Sequence, residues 1–511
     1  MKKTILIALM MISMLSCWAC SSNDDGEDNP APNGDSDDTK VDGDDDSATG
    51  ETDTDVEEVD PMAACKVDAD AIDGGAEFTF NPESVELDVD LFPLGVQAGA
   101  MTINEALLWS NTINENDKVL LVWRDIPDIN DKITLVKEMT LTPTDGGYLK
   151  EKIKDLAPGT VYRYAFFEGT KENPTARSMV GRFKTAIPED CPAPLLVAGT
   201  HGTNRWVGLP FDAIEITSRY ELDLALHLGD YSYNDDSDTL EGYRSEWHDT
   251  LINPKLQVGN ASTGQYIVWD DHEIADNHFL HHDFPPEQLA IGKQAFFENT
   301  PVERRENDSY WKSFRWGKTA EFFSLDCRHE RQPETRKTED AVFIGKEQMV
   351  WLKDRLLNSP SHFKVVLTSV PITKFPPMHA MQGDRWEGYA SQRDEILNYI
   401  AENEIKNVWW ITGDFHLGCI TRLEMDGGPR EHMWEIMVGP GGNGPSPTWL
   451  MWISGLIDHD NIAPEDQFRF YGGEFMATML TFDPAKDAVH VVFVDAETEE
   501  VVFDEWLKES D

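Results

Sequence analysis

The stretch YIVWDDHEIADNHF, residues 266–279, turns from apolar to strongly charged within a few positions. Its first residues form an apolar run typical of a buried strand, and Asp270, Asp271, His272 and Glu273 follow immediately. Carboxylates this close repel one another unless a positive charge lies among them. The stretch therefore indicates a metal site at the end of a strand, for which the rest of the sequence must supply the other ligands.

Three other apolar runs end in the same way. PLLVAGTHGTNRW places His201 after a strand, LDLALHLGDYSYND places Asp230 and Tyr233 after the next, and NVWWITGDFHLG ends with Asp414 and His416. Sites in α/β sheets form beyond the carboxyl ends of the strands, and oxygen and imidazole ligands suit one or two metal ions. Each motif alone is also typical of a turn or a helix cap. Together, the four strand ends predict a metal centre.

From residue 192 onward, β-branched apolar runs alternate with amphipathic segments of helical periodicity. Two such segments are KEQMVWLKDRLLNS and SQRDEILNYIAENEI, the latter with Ser391 placed to cap its start. This alternation predicts a mostly parallel or mixed sheet with helices on both faces. We therefore assign an α/β domain to residues 192–505.

Residues 78–188 have a different pattern, in which short alternating runs such as KVLLVWRD and VYRYAFFEG are separated by turn residues. Strands at this spacing, without helical segments between them, predict a β-sandwich of the immunoglobulin or fibronectin kind. The region contains no cluster of chemically active side chains. We expect it to support or cover the domain that follows.

The N-terminal segment MKKTILIALMMISMLSCWAC combines two lysines, a short apolar run and small residues near two cysteines, which is typical of an export signal. It resembles a bacterial lipoprotein cleavage site, and we predict a signal peptide over residues 1–20 that ends at a lipidated Cys20. Lipidation at Cys17 and a plain secretory signal are the alternatives. The lipid is then the only expected membrane attachment, and the expected location is the bacterial cell envelope, as an outer-membrane or surface lipoprotein.

Residues 21–65 are rich in acids and poor in large apolar residues, so they are predicted to be a disordered tether. The whole chain of 511 residues has a formal net charge of −51 and a pI near 4.4. Such a charge repels nucleic acids and anionic membranes, so neither is an expected partner. A monomer is expected, and an anionic substrate would require a local reversal of charge.

Four cysteines remain after the signal segment. Cys65 and Cys191 flank the first folded region, and in an exported protein they either form a disulfide or stay free. Cys327 and Cys419 lie in apolar runs and are expected to be small buried thiols.

The combination of motifs resembles the alkaline phosphatase D (PhoD-like) family of calcineurin-like metallophosphoesterases. The residues that carry the resemblance are LHLGDYSY (226–233), VWDDHE (268–273), SLDCRHER (324–331) and ITGDFH (411–416), preceded by FPLGVQAGAMTINEALLWS (92–110). The resemblance extends from about residue 90 to beyond residue 480. It implies a four-layer α/β/β/α sandwich around two sheets, behind the N-terminal β-sandwich.

Position by position, the resemblance makes Asp230 a carboxylate shared by two metal ions and Tyr233 a phenolate ligand of a ferric ion. Asp271 stands where the wider superfamily has a metal-binding asparagine, and Asp414 and His416 correspond to the closing pair of ligands. The implied metals are Ca²⁺ and Fe³⁺, with Zn²⁺ or Mn²⁺ as alternatives.

One candidate ligand departs from the family pattern. The family usually has Ser-Cys where this chain has Thr200 and His201, so His201 is either an imidazole ligand in place of the thiolate or a residue that only forms hydrogen bonds within its turn. His272 is expected to protonate the leaving oxygen or to steady the transition state, which makes Asp271 and His272 the expected catalytic residues.

Three further residues are candidates for substrate binding. Asn277 follows the acidic turn, where it would brace the metal loop. Arg244 and Arg328 are each candidates for a phosphate contact, since an arginine fork fits two phosphate oxygens. The alternative for each arginine is structural, and Arg328 would then pair with Asp326 or another acid and hold the sheet edge.

These observations predict an exported metal-dependent phosphoesterase that hydrolyses phosphate monoesters, diesters or both by a metal-activated hydroxide. The sequence has no Gly-x-Ser-x-Gly elbow and no phosphate-binding P-loop, which disfavours serine hydrolases and nucleotide triphosphatases. The alternative function is a surface-tethered binding protein with a degenerate, non-catalytic phosphatase fold.

Overall fold

The computed structural model describes residues 60–126, 132–205, 211–275, 285–305, 309–379, 382–424, 430, 432–444, 446–473 and 475–510. All described residues belong to one compact unit, which spans Val59–Asp511. The predicted signal peptide, both candidate lipidation sites and nearly all of the predicted tether lie outside the described residues. Within the described part of the chain, no helix combines the length and the apolar character that a membrane span requires.

The first part of the unit consists mainly of strands. After helix α1 (Ala69–Asp73), the described strands are β1 (Ala76–Thr79), β2 (Val96–Gly99), β3 (Ala106–Asn111), β4 (Lys118–Asp125), β5 (Lys132–Leu141), β6 (Tyr148–Ile153), β7 (Val161–Thr170), β8 (Asn173–Arg177) and β9 (Gly181–Lys184).

The second part alternates strands and helices, as the sequence predicts. The described strands are β10 (Leu195–Thr200), β11 (Leu224–Leu228), β12 (Gln265–Val268), β13 (Lys312–Trp316), β14 (Ala320–Ser324), β15 (Phe363–Thr368), β16 (Val408–Thr412), β17 (Gly418–Arg422), β18 (Trp434–Met437), β19 (Phe468–Gly472), β20 (Met476–Asp483), β21 (Ala488–Asp495) and β22 (Val501–Leu507).

The helices of this part are α2 (Asp212–Thr217), α3 (Leu240–Leu251), α4 (Pro254–Ser262), α5 (Pro286–Asn299), α6 (Lys346–Asn358), α7 (Ala390–Glu402) and α8 (Pro447–Ile453). Short 3₁₀ helices in the described chain are Pro61–Cys65, Pro82–Ser84, Pro333–Thr335, Gln382–Asp384, Trp386–Tyr389 and His459–Asn461. Ser391 does not cap α7 as predicted, because the helix already begins at Ala390 and the Ser391 hydroxyl donates to the carbonyl of Thr338 instead.

The described strands form three sheets. One has six strands in the order β1-β5-β4-β7-β8, with β9 also paired to β7; a second has nine in the order β22-β21-β20-β10-β11-β12-β2-β3-β6; a third has seven in the order β13-β14-β15-β16-β18-β17-β19. Parallel pairing joins β10 to β11 and β11 to β12, and also joins β14, β15 and β16. The protein thus has a mixed α/β fold with several sheets.

The N-terminal strands do not all form a separate sandwich. Strand β2 pairs with β12 through Gln265 and Gly99, so β2, β3 and β6 extend the nine-stranded sheet of the following region. Gly99 is required at this junction, since a Cβ there would lie 2.5 Å from the carbonyl oxygen of Pro301. Sequence periodicity identifies such strands but cannot reveal which sheet they join. An immunoglobulin-like or fibronectin-like assignment for residues 78–188 stays a prediction.

The nine-stranded and seven-stranded sheets pack face to face. Tyr266 of β12 stacks on Phe314 of β13 with ring centroids 3.8 Å apart, and Phe322 of β14 meets Phe482 of β20 at 5.9 Å. The next residue, Phe323, points to the opposite face, because side chains alternate along a strand. Both faces of the central strands are therefore buried, as their continuous apolar sequences indicate.

Helices cover the outer faces of the two packed sheets. Leu352 of α6 and Ile396 of α7 share a buried cluster with Phe323 of β14. Ile216 of α2 packs with Met479 of β20 on the outer face of the nine-stranded sheet. The order of layers through this part is helix, sheet, sheet, helix.

A disulfide joins Cys65 and Cys191, which settles the alternative that the sequence left open. It links the short helix Pro61–Cys65 to the residues just before β10, across 126 positions of sequence. Cys327 and Cys419 are free and buried, as predicted.

Candidate metal centre

The predicted ligands follow the ends of four strands. His201 directly follows β10, Asp230 lies two residues after β11, Asp271 three residues after β12 and Asp414 two residues after β16. The sheets bring these ends together, since the His416 backbone N–H donates to the Nε2 of His201 at 3.2 Å. Loops from both packed sheets therefore meet at one place.

The loops at this place adopt an unusual backbone conformation. Asp230, Asp414 and His416 have φ values of 57°, 59° and 54°, in the left-handed region, which non-glycine residues rarely adopt and which is concentrated at functional sites. Gly229 precedes Asp230 at φ 97°, and a Cβ there would lie 2.6 Å from the Cβ of Asp270. The close approach of two acidic loops thus requires glycine at this position.

Asp230 lies at the middle of the cluster and is 1% exposed. Its Oδ2 accepts a hydrogen bond from the Tyr233 hydroxyl at 3.1 Å and lies 3.9 Å from the Nε2 of His416. Within the described part of the chain, its Oδ1 is buried without a hydrogen-bond partner. Burial raises the pKa of Asp230, but the nearby His272, His416 and His201 outweigh this effect and lower it, so the residue is an ionised carboxylate with an unused oxygen.

The ligand atoms of Asp230, Asp271 and His272 all lie within 4.8 Å of one another, close enough to hold one metal ion. Carboxylate oxygens with an imidazole nitrogen suit the harder transition metals and calcium. The unpartnered oxygen of Asp230 is the kind of buried group that a metal ion would satisfy. The residues present therefore fit a metal centre.

His201 and Tyr233 border this cluster. Burial, with His416 adding to it, lowers the pKa of His201 to about 3, so the ring is neutral, the form in which imidazole binds metals. Burial, followed by Asp230 and Asp271, raises the pKa of Tyr233 well above its usual value, so only a cation would stabilise a phenolate there. Their roles as metal ligands stay predictions.

His272 lies against Tyr233 with ring centroids 4.1 Å apart, and its Nδ1 is 2.6 Å from the Oδ1 of Asp235. Burial lowers the pKa of His272, but Asp271, Asp230 and Asp235 outweigh it and raise the pKa well above the usual value. Asp235 was not predicted from the sequence, although two acids directly follow YSYN.

Asn443 is a second residue of the site that was not predicted from the sequence. Its side-chain amide donates to the hydroxyl of Tyr233 and to the Nε2 of His416, the latter at 2.5 Å. The backbone N–H of Gly441, in the same loop, donates to the carbonyl of His201 at 2.7 Å. The signal was a fifth apolar run, WEIMVGPGGN, which ends in glycines as three of the other four runs do.

Arg328 is paired with buried acids beside the cluster, and its substrate contact stays a prediction. It is 0% exposed, and its guanidinium donates to both carboxylate oxygens of Asp270 and to both of Asp384, the latter at 2.9 Å each. Arg331 also donates to Asp384, at 2.7 Å. These ion pairs agree with the structural alternative of pairing with another acid, and the sequence did not indicate Asp384 because it approaches only in the tertiary structure.

This arrangement also affects Asp270, whose pKa burial raises to about 6 while Arg328 opposes the increase. The same guanidinium lies 3.3 Å from Asp271 and so borders the metal cluster.

Arg244 and Asn277 are the other two candidates for substrate binding. Arg244 donates to both oxygens of Glu298 in α5, at 2.7 and 2.9 Å, and to Asp145 at 3.0 Å. These ion pairs engage its guanidinium beside the N-terminal strands, and its substrate contact stays a prediction. Asn277 lies outside the described residues.

Sequence comparison adds to this geometry. Residues 198–451 match the profile of the family described as PhoD-like phosphatase. The chain belongs to that family. This PhoD-like chain is similar to alkaline phosphatase D of Bacillus subtilis (strain 168), with 23% identity over 393 residues that cover 66% of each chain. It thus spans about two thirds of the length of that relative.

Two solved structures show that the fold is shared. A structure of PhoD covers 81% of this chain and 93% of its own, with a TM-score of 0.68 and 19% identity. A purple acid phosphatase from yellow lupin (Lupinus luteus) seeds covers 80% of this chain and 72% of its own, with a TM-score of 0.56 and 15% identity.

Proposed function

We propose that this PhoD-like protein is an exported metal-dependent phosphoesterase that hydrolyses phosphate monoesters, diesters or both. The observation that carries the proposal is the cluster of two buried carboxylates, Asp230 and Asp271, with the half-buried His272 at the ends of neighbouring strands, in a chain of the phosphatase family. A carboxylate oxygen left unpartnered beside other acids is unfavourable in a structural core, and it is suited to a site that binds a cation.

Two metal ions are proposed for the site. Asp230 would be shared between them, with Tyr233 and His201 toward one ion and Asp271 toward the other, and Asp414 and His416 would complete the set. Ca²⁺ and Fe³⁺ are favoured from the family resemblance, with Zn²⁺ or Mn²⁺ as alternatives. When bound, such ions supply positive charge that lowers the pKa of water and balances the phosphate oxygens.

His272 is the proposed general acid for the leaving alcohol. Asp235 accepts from Nδ1, which leaves Nε2 to carry the proton toward the substrate. The surrounding carboxylates favour the protonated ring, so that in the reaction His272 gives its Nε2 proton to the oxygen whose bond to phosphorus breaks, while water adds to phosphorus from the opposite side. The protonated ring would also attract an anionic substrate into an otherwise acidic chain.

Export and attachment through a lipid on Cys20 belong to the same proposal. The disulfide between Cys65 and Cys191 supports an oxidising compartment, since such bonds are rare in the cytosol. Digestion of the purified membrane-associated protein followed by mass spectrometry of its N-terminal peptide would test this: a diacylglyceryl mass on Cys20 is expected, and an unmodified mature N-terminus would contradict the anchor.

The deciding experiment is metal analysis of the protein purified without chelator, together with hydrolysis of p-nitrophenyl phosphate and bis-p-nitrophenyl phosphate. We expect two metal ions per chain and turnover of at least one substrate, and the ratio of the two rates would rank monoesters against diesters. If neither metal binding nor turnover appears after reconstitution with Ca²⁺ and Fe³⁺, Zn²⁺ or Mn²⁺, the proposal fails and the surface-tethered binding protein replaces it.

A further inference from the structure

Glu273 is fully buried and connects the two acidic loops through their backbones. Its Oε1 accepts a hydrogen bond from the backbone N–H of Tyr231 at 2.6 Å, and its Oε2 accepts one from the backbone N–H of Asp270 at 2.8 Å. These two N–H groups belong to the loops after β11 and β12, 39 residues apart in sequence. One carboxylate therefore spans the gap between the loops.

Both N–H groups are next to proposed metal ligands. Tyr231 directly follows Asp230, and Asp270 directly precedes Asp271. The loops are also joined by Asn234, whose backbone N–H donates to the carbonyl of His272 at 2.9 Å and whose amide donates to the carbonyl of Glu273 at 2.8 Å. These contacts hold the peptide units on either side of the ligand positions.

The backbone at Asp230 needs such support. Its φ of 57° lies in the left-handed region, and a non-glycine residue keeps this conformation only where its surroundings fix it. The hydrogen bond from Tyr231 to Glu273 fixes the peptide that follows Asp230, and so determines the direction in which the carboxylate projects. Ligand geometry at metal sites depends on contacts of this kind behind the ligands.

We propose that Glu273 is a positioning residue that sets the separation of the Asp230 and Asp271 carboxylates and thereby the metal affinity of the site. The inference rests on the proposed function, because it concerns the same metal centre. Glu273 does not touch substrate in this proposal, and it acts only through the two loops that it joins.

Only a carboxylate can accept both hydrogen bonds in this geometry. A glutamine has nearly the same shape, but one of its two terminal groups is an NH₂ donor. In Glu273→Gln one backbone N–H would therefore face a donor, and the loop that carries it would shift or lose its partner. The substitution changes the contact between the loops without leaving a cavity.

The chain offers a matched control in Glu435 of β18. This glutamate is also 0% exposed, and its two oxygens accept from the backbone N–H groups of Ile372 and Thr373 at 2.9 and 2.8 Å. It joins β18 to the loop after β15, and neither donor is next to a proposed ligand. Glu435→Gln breaks the same kind of contact in the same kind of environment.

The test measures Mn²⁺ and Ca²⁺ binding by calorimetry on the full-length protein after removal of its metals, for wild type, Glu273→Gln and Glu435→Gln. Both variants are expected to lower the melting temperature of the metal-free protein. Only Glu273→Gln should weaken metal binding, by roughly 10- to 100-fold, the range for contacts behind metal ligands. It should also lose most of the rise in melting temperature that metal gives to the wild type.

Turnover separates positioning from general destabilisation. We expect Glu273→Gln to lower kcat at saturating metal with little change in KM, whereas Glu435→Gln keeps both constants. Glu273→Asp retains two acceptor oxygens on a shorter side chain and should lie between wild type and Glu273→Gln in metal affinity, which gives a second readout if the glutamine variant does not fold. Equal metal affinity in all variants, or equal weakening by both glutamine substitutions, would overturn the inference.

Failure of the proposed function would look different. If the wild-type protein itself neither binds metal nor hydrolyses the nitrophenyl esters, the metal centre is absent and the inference fails with it. If the wild type binds metal and turns over while Glu273→Gln behaves like Glu435→Gln, only the role of Glu273 is wrong.

Discussion

Two groups of buried carboxylates lie side by side in this protein, and their charges are balanced in different ways. Asp270 and Asp384 are fully paired with Arg328, and Asp384 also with Arg331. The neighbouring Asp230 has one carboxylate oxygen without a hydrogen-bond partner in the described chain.

This difference in pairing indicates which acids stabilise the fold and which form a functional site. Buried charges that serve only the fold must be paired within the chain, because desolvation makes an unpaired one costly. A group of acids that the chain leaves partly unbalanced depends on something from outside, and a metal ion is the simplest partner. Arg328 contacts both groups, since its guanidinium also lies 3.3 Å from Asp271 of the metal cluster.

The largest loss of activity is expected for Asp230→Asn. The amide has the same shape but no charge, so it would bind the two proposed cations more weakly, and we expect hydrolysis of p-nitrophenyl phosphate to fall by orders of magnitude. The fold should be retained, because asparagine has the same size and keeps the backbone contacts of Asp230. Near-normal turnover, measured with circular dichroism as a control for folding, would contradict the site assignment.

The carboxylates that pair with Arg328, Asp270 and Asp384, should instead matter for the stability of the fold. Arg328→Met leaves Asp270 and Asp384 buried with fewer partners, and we expect a loss of about 3–5 kcal/mol in the free energy of unfolding, measured by denaturant titration. Arg219→Met removes an exposed ion pair with Glu499 and should leave the unfolding midpoint unchanged. A small effect of Arg328→Met would mean that the pairing is not what stabilises this region.

The pH dependence of the rate tests whether His272 acts as an acid together with Asp235. Asp235 is one of three carboxylates that, against burial, raise the pKa of His272. His272 must carry a proton to act as an acid, so the rate should fall as pH rises through its pKa. Asp235→Asn removes one source of the increase, and we expect the alkaline limb of kcat/KM to move to lower pH. The adjacent Asp236→Asn serves as the control, and an unmoved limb would exclude the His272–Asp235 pair from the chemistry.

The smallest expected effect concerns metal content. His201→Ala should reduce the content of one metal while the other persists, measured by mass spectrometry of the purified protein. His379 is also buried, with a pKa that burial lowers to about 4, but its Nε2 is engaged with the carbonyl of Ile462, so His379→Ala should keep both metals. Unchanged stoichiometry in His201→Ala would make His201 a structural residue.

The sequence was sufficient where the signal is local. Asp230, Asp271, Asp414 and their neighbours could be found because each follows an apolar strand directly, and parallel strands bring such ends together. Asn443 also follows an apolar strand. It was harder to identify because an uncharged amide in a glycine-rich loop does not indicate a metal site. Asp384 had no signal at all, since it lies 56 positions from the Arg328 that it neutralises.

The alternation of strands and helices, the positions of the acidic loops and the family could be predicted from the sequence, because they depend on residues close together in the chain. Three features became visible only in the folded protein: β2, β3 and β6 join the nine-stranded sheet, Arg244 and Arg328 pair with acids, and Glu273 joins two loops. Such pairings depend on packing between distant segments. An arginine has the same appearance in a sequence whether its partner is a phosphate or a buried aspartate, and only the fold brings the partner into place.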